Sequence, residues 1–132
     1  MTAYIFSILC LLLLSAFFSA TETAFTSLNR IKMKNMANDD VKNAKLVLKL
    51  EDRYDKLLST ILIGNNIANI GMTAIATVMF VALLGGSLGP TASTVVMTVA
   101  VLIFGEISPK NIAKEHPEGF ALFAAPIMRG LM

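Results

Sequence analysis

A single cysteine, Cys10, and a single histidine, His116, occur in a chain of 132 residues. One thiol inside an apolar run excludes a disulfide framework and a cysteine-ligated metal. His116 sits in Glu115-His-Pro-Glu118, outside the apolar runs, where a solvated loop side chain is its ordinary role. Charge is also scarce: 15% of residues are Asp, Glu, Lys or Arg, and 55% are hydrophobic, with a mean hydropathy of +0.70. Soluble domains carry about 25% charged residues, so the chain reads as an integral membrane protein. No basic region precedes Ile5–Leu14, and the apolar run continues past any plausible cleavage site, so a secretory leader is a poor account of the N-terminus. There is no nucleophile–base pair, phosphate-binding glycine loop or redox motif, so no enzymatic activity is expected.

Basic residues are missing from two long stretches, before Arg30 and from Leu57 to Pro109. Eight of the eleven lie between Arg30 and Lys56, and the other three are Lys110, Lys114 and Arg129. The positive-inside rule then predicts an extracytoplasmic N-terminus in a multi-pass plasma (inner) membrane protein, with Arg30–Lys56 and everything from Lys110 onward cytoplasmic. The lipid surface accounts for these charges, and no nucleic-acid partner is implied.

Three spans are predicted, Ala3–Leu28, Leu57–Leu84 and Pro90–Ser108, each long enough for a bilayer core of about 30 Å. Juxtamembrane amphipathic helices are expected over Asn29–Lys56 and Asn111–Met132, giving an all-α membrane protein. Asn38-Asp39-Asp40 has the chemistry to cap a new helix, and Pro126 interrupts the last apolar piece. With no hydrophilic domain after it, the sequence reads as the membrane portion of a longer chain.

Polar residues inside the spans fall into three clusters. In the first span Ser15, Ser19, Glu22 and Thr26 recur at helical spacing and share one face. A membrane-embedded Asp or Glu costs about 2.5–3.5 kcal/mol on insertion scales, so Glu22 is expected to face a cavity or a partner, or else to pair with a lysine at the interface. The second span carries Asn65, Asn66 and Asn69, with Gly64, Ala68 and Gly71 forming an adjacent small-residue face. Such amides serve either as ligands or as glue between helices.

Counting from the predicted span ends, Ser19 and Asn65 come to lie at equal depth, roughly 14 Å from the cytoplasmic end at 1.5 Å per residue. The third cluster is Phe104-Gly-Glu-Ile-Ser-Pro-Lys110. Pro109 has no amide hydrogen for the carbonyl of Gly105 four residues earlier, so a free carbonyl is predicted beside Glu106. The alternative is a helix that simply stops at Pro109. All of these donors are oxygens, a set suited to Mg²⁺, Ca²⁺ or Na⁺ and not to zinc or copper.

Phe17-Phe-Ser-Ala-Thr-Glu-Thr-Ala24, Leu57-Leu-Ser-Thr-Ile-Leu-Ile-Gly-Asn-Asn66 and Phe104-Gly-Glu-Ile-Ser-Pro-Lys110 resemble the three signatures of the CorC/cyclin M magnesium transporter family. The resemblance covers nearly the whole chain. It implies a homodimer in the lipid bilayer, each protomer with three spans and a belt of juxtamembrane helices. It also implies Mg²⁺ as the transported ion in an inward-facing cavity, with Na⁺ as a possible counter-ion. Carried over by motif, the ion site falls on Ser19, Asn65 and Glu106, with Ser15, Gly105 and Pro109 beside it. Glu22, Asn66 and Asn69 are expected to support it. Family members continue into cytosolic regulatory domains, which this sequence does not include. Two other readings stand beside the transporter: a non-transporting scaffold for such domains, and a Na⁺-selective site.

Overall fold

The structure, a computed structural model, describes residues 2–132. Every regular element among them is a helix. They are α1 Thr2–Ser27, α2 Arg30–Asn38, α3 Ala44–Glu51, α4 Tyr54–Leu84, α5 Gly89–Ala100, a π-helical segment Val101–Ile107, α6 Ser108–Glu115 and α7 Pro117–Leu131. Three helical stretches are long and apolar enough to cross a membrane: α1, α4 and the continuous run Gly89–Glu115. The third runs further than predicted, because Pro109 falls at the start of α6 and does not end the helix.

α1 is the central element, packed along α4 on one side and against the π segment, α6 and α7 on others. Its approach to α4 depends on Gly64, where an added Cβ would lie 2.4 Å from the buried Phe18 ring. The α4–α5 hairpin closes in the same way, since a Cβ on Gly89 would meet the Val81 Cα at 2.6 Å.

The short helices sit together at the basic end of the bundle. Asn29 caps α2, its side chain accepting from the amides of Ile31 and Lys32 at 2.9 and 3.2 Å. The cap expected from Asn38 to Asp40 for the next helix is not formed: α3 follows Asn43, which makes no side-chain cap bond. Asp39 instead follows the end of α2, and Asp40 takes a positive φ in the turn before α3. Arg30 ties the two helices by ion pairs to Glu51 and Asp52. The hydrogen bond to Asp52, the larger cause, and the two nearby carboxylate charges hold its guanidinium above the ordinary arginine range. α7 passes through Pro126 unbroken and buries Ala121, Ala124, Ala125 and Met128.

Buried apolar side chains form two clusters. The larger lies at the basic end and joins Phe18, Phe25, Met33, Val47, Leu57, Ile61 and Met128. The smaller joins Ile8, Met72, Ala76 and Met97 toward the other end. Between them α1 contributes Ser15, and α4 contributes Asn65 and Asn69.

Candidate functional site: a polar layer between two apolar clusters

The completely buried Ser15 is the pivot of this layer. Its hydroxyl lies 2.7 Å from Asn65 Oδ1 and 3.0 Å from Asn69 Oδ1. Asn65 and Asn69 are one helical turn apart, so both reach the same point on α1. A hydroxyl has one proton and can donate to only one of these oxygens. The other contact is satisfied either by turning that amide so that its NH₂ donates to Ser15, or by a cation that draws both oxygens inward.

The third helix closes the layer at buried Gly105, where an added methyl carbon would stand 3.5 Å from Ser15 Oγ, Leu12 Cδ1 and Val101 Cγ1. Four of the predicted residues therefore converge: Ser15, Asn65, Asn69 and Gly105.

Ser19 lies one turn away. It is only 2% exposed, and its hydroxyl makes no hydrogen bond among the described residues, although its carbonyl accepts from Thr23. No fully buried side-chain oxygen or nitrogen among the described residues lacks a partner, so the Ser19 hydroxyl must keep a narrow opening to solvent. Asn65, placed at the depth of Ser19 by counting from the predicted span ends, bonds Ser15. α4 begins at Tyr54 and α1 ends at Ser27, which places Asn65 and Ser15 roughly 17 and 18 Å from those ends at 1.5 Å per residue.

Glu106 follows Gly105 and is half-buried, with no ion pair or hydrogen bond among the described residues. Glu22 is also half-buried, and no lysine pairs with it there. Asn66 is exposed on another face of α4, away from Ser15. Pro109 lines a separate groove with Phe104, Ala16 and Phe17. No group of three or more His, Cys, Asp or Glu side chains occurs among the described residues.

The backbone of the third helix was not legible in the sequence. The amide of Ser108 donates to the carbonyl of Ile103, five residues back, the spacing of a π turn. The carbonyl of Phe104 then loses Ser108 as its α-helical donor, and the donor one residue further on would be Pro109, which has no hydrogen. The carbonyl of Gly105 has Pro109 at its α-helical donor position and lacks that donor too. The Phe104 oxygen is therefore freed in this register beside the Gly105 oxygen expected from an unbroken α-helix.

The polar seam continues beyond the layer. Asn69 and Thr73 on α4, with Thr94 and Thr98 on α5, line a cavity of about 280 Å³. Further along, Thr77 and the buried Ser93 approach to 3.3 Å.

The profile of the cyclin M transmembrane N-terminal domain matches residues 5–132. The chain belongs to that family. A UPF0053 protein of Haemophilus influenzae is 40% identical over 131 residues, covering 99% of this chain and 31% of its own. The UPF0053 inner membrane protein YfjD of Escherichia coli is 42% identical over 108 residues, covering 82% of this chain and 25% of its own. A further Haemophilus influenzae relative, named polyamine export protein, is 30% identical over 136 residues, covering 94% of this chain and 32% of its own. The chain thus spans about a quarter to a third of the length of these relatives. With three membrane-length helices, it is a multi-pass membrane domain of the cyclin M family.

Proposed function

We propose that this domain exports Mg²⁺ and holds the partly dehydrated ion at the layer formed by Ser15, Asn65, Asn69 and Gly105. Glu106 supplies the negative charge, and Ser19 supplies a hydroxyl on the route from the basic end. The observation that carries the reading is the meeting of one hydroxyl and two amide oxygens at 2.7 and 3.0 Å. Neighbouring corners of a Mg²⁺ octahedron with ligands near 2.1 Å lie about 3.0 Å apart. The Ser15 hydroxyl stands near that spacing from each amide oxygen, which suits all three to serve as ligands. Water and the freed carbonyl oxygen complete the set.

In this reading the basic end is cytoplasmic, and the ion enters there past Ser19. Outward release requires α4 and the third helix to part along the Asn69–Thr73–Thr98 seam. The domain acts as a homodimer, whose interface would take up the exposed Asn66, and Na⁺ is the counter-ion. The cytosolic regulatory domains of the full-length chain govern its activity.

One relative's name favours a second reading, export of an organic polycation. Glu106 and Glu22 are the intramembrane carboxylates either cargo would use.

The test is flux from proteoliposomes loaded with a Mg²⁺ indicator, with and without a Na⁺ gradient and with spermidine as competitor. Mg²⁺ flux that spermidine leaves unchanged and that Asn65→Ala abolishes supports the first reading. Spermidine movement without Mg²⁺ flux supports the second. Reconstituted, folded protein that moves neither ion leaves the domain a scaffold.

A further inference from the structure

At the basic end, α3, the start of α4 and the end of α7 enclose a hollow of about 140 Å³. Four cationic side chains line it: Lys49 and Arg53 from α3 and the turn after it, Lys56 from the first turn of α4, and Arg129 from α7. The remainder of the lining is apolar, Leu46, Leu50 and Met132.

Four like charges around one hollow repel, and a fold ordinarily relieves this with carboxylates. Here the adjacent carboxylates are committed elsewhere. Glu51 and Asp52 are both held by Arg30, at 3.1 and 2.8 Å. The other ion pairs among the described residues are Lys32–Glu118 and Lys45–Asp40, and neither involves a residue of the hollow. Asp55 is exposed in the first turn of α4, where it lines a separate depression with Asp52, Arg53 and Lys56, and it does not line the hollow. The lining of the hollow therefore carries positive charge alone, with Glu51 and Asp52 held in the clasp between α2 and α3.

We propose that this hollow binds the phosphate of an anionic phospholipid, with the first carbons of the lipid tail lying over Leu46, Leu50 and Met132. Lys56 immediately precedes the apolar stretch of α4, so the hollow lies at the level of the headgroups. Arginine and lysine together suit phosphate oxygens, arginine by paired N–H donation and lysine as a point charge. Basic pockets between helices at this depth hold acidic headgroups. Drug-sized ligands occupy pockets of about 300 Å³ or more, so a hollow of about 140 Å³ suits a headgroup phosphate and excludes a whole nucleotide. The apolar lining favours a lipid over free phosphate, which would have nothing to place there.

The experiment uses the purified protein in neutral detergent with added phosphatidylglycerol, phosphatidylcholine or inorganic phosphate. Lipid adducts are counted by native mass spectrometry, and thermal unfolding is followed in parallel. The expected result is at least tenfold greater retention of phosphatidylglycerol than of phosphatidylcholine. Replacing Lys49, Arg53, Lys56 and Arg129 together by glutamine should abolish this preference. The same number of changes at the exposed Lys34, Lys42, Lys110 and Lys114 should preserve it. Equal loss in both variants would overturn the proposal in favour of diffuse surface charge. Equal retention of the two lipids would overturn it outright, as would stabilisation by inorganic phosphate that matches phosphatidylglycerol. If the fourfold variant does not fold, Arg129→Gln and Lys49→Gln are measured singly, each expected to weaken retention severalfold. No change in either would also overturn the proposal.

Discussion

Gly64, Gly89 and Gly105 all lie at close approaches between helices, yet their substitution by alanine has different consequences. At Gly64 the new methyl would collide with Phe18, whose ring is 4% exposed and enclosed by the larger apolar cluster. Overpacking of this kind costs about 1–3 kcal/mol, so Gly64→Ala should lower the unfolding midpoint, and Phe18→Leu should recover part of the loss. Gly89→Ala should be worse, because the obstacle is the Val81 backbone, which has no rotamer with which to yield.

Gly105→Ala meets nothing closer than 3.5 Å. Its fold should survive with an unchanged midpoint, while Mg²⁺ binding weakens because the methyl occupies the ion's side of Ser15. Equal binding by Gly105→Ala and the parent would remove Gly105 from the site. Ser15→Ala takes away the partner of both amides and should cost about 1–3 kcal/mol as well as binding, measured as denaturant stability in detergent.

Among the helices, the π segment is the one whose register bears on function. Pro109 and the Ser108–Ile103 bond together leave the Phe104 carbonyl without a helical donor. Pro109→Ala restores a donor and lets the segment relax to α geometry. The expected outcome is a more heat-resistant protein that binds Mg²⁺ more weakly. A variant with both properties unchanged would show that the π register is not maintained by the proline.

The clasp between α2 and α3 behaves differently with pH. A base whose folded pKa is raised contributes fully below its unfolded value and loses that contribution only as pH rises through the folded one. For Arg30 that window lies above the ordinary arginine range, so its own titration should leave the clasp constant from neutral to strongly alkaline pH. Hydrogen exchange of the α2 amides at pH 7 and 10, corrected for intrinsic rate, checks this. A loss of protection specific to α2 at pH 10 would contradict it.

At the scale of the whole molecule, two apolar clusters lie on either side of the Ser15–Asn65–Asn69 layer, and a polar seam runs on from it toward Ser93. Much of this is legible in the sequence, for identifiable reasons. The long apolar runs and the gap in basic residues mark the three spans, and the four-residue repeat from Asn65 to Asn69 puts two amides on one face. Spacing alone could not reveal which serine they meet. A shift of three residues in the start of α4 changes the apparent partner from Ser19 to Ser15. Nor could it reveal that α7 carries Pro126 without breaking, because its packing against α1 and α3 holds the helix through the missing hydrogen bond. The Asn38-Asp39-Asp40 run, which has the chemistry to open α3, instead closes α2, and α3 starts after Asn43 without a side-chain cap.

The proposed orientation, argued from the distribution of basic residues, is open to a direct check. A cysteine placed at Ser87, in the turn between α4 and α5, should react with an impermeant maleimide from outside intact cells, in a background with Cys10 replaced. A cysteine at Lys42 should react only after permeabilisation. The reverse pattern would invert the proposed direction of entry.

Calorimetric titration of Mg²⁺ into the purified parent, Asn65→Ala and Glu106→Gln, at fixed ionic strength, bears most directly on the ion layer. The parent should bind, and Na⁺ should compete only weakly. Both variants should lose at least tenfold in affinity while keeping the parent's helical content. Folded variants that bind Mg²⁺ as the parent does would contradict the account.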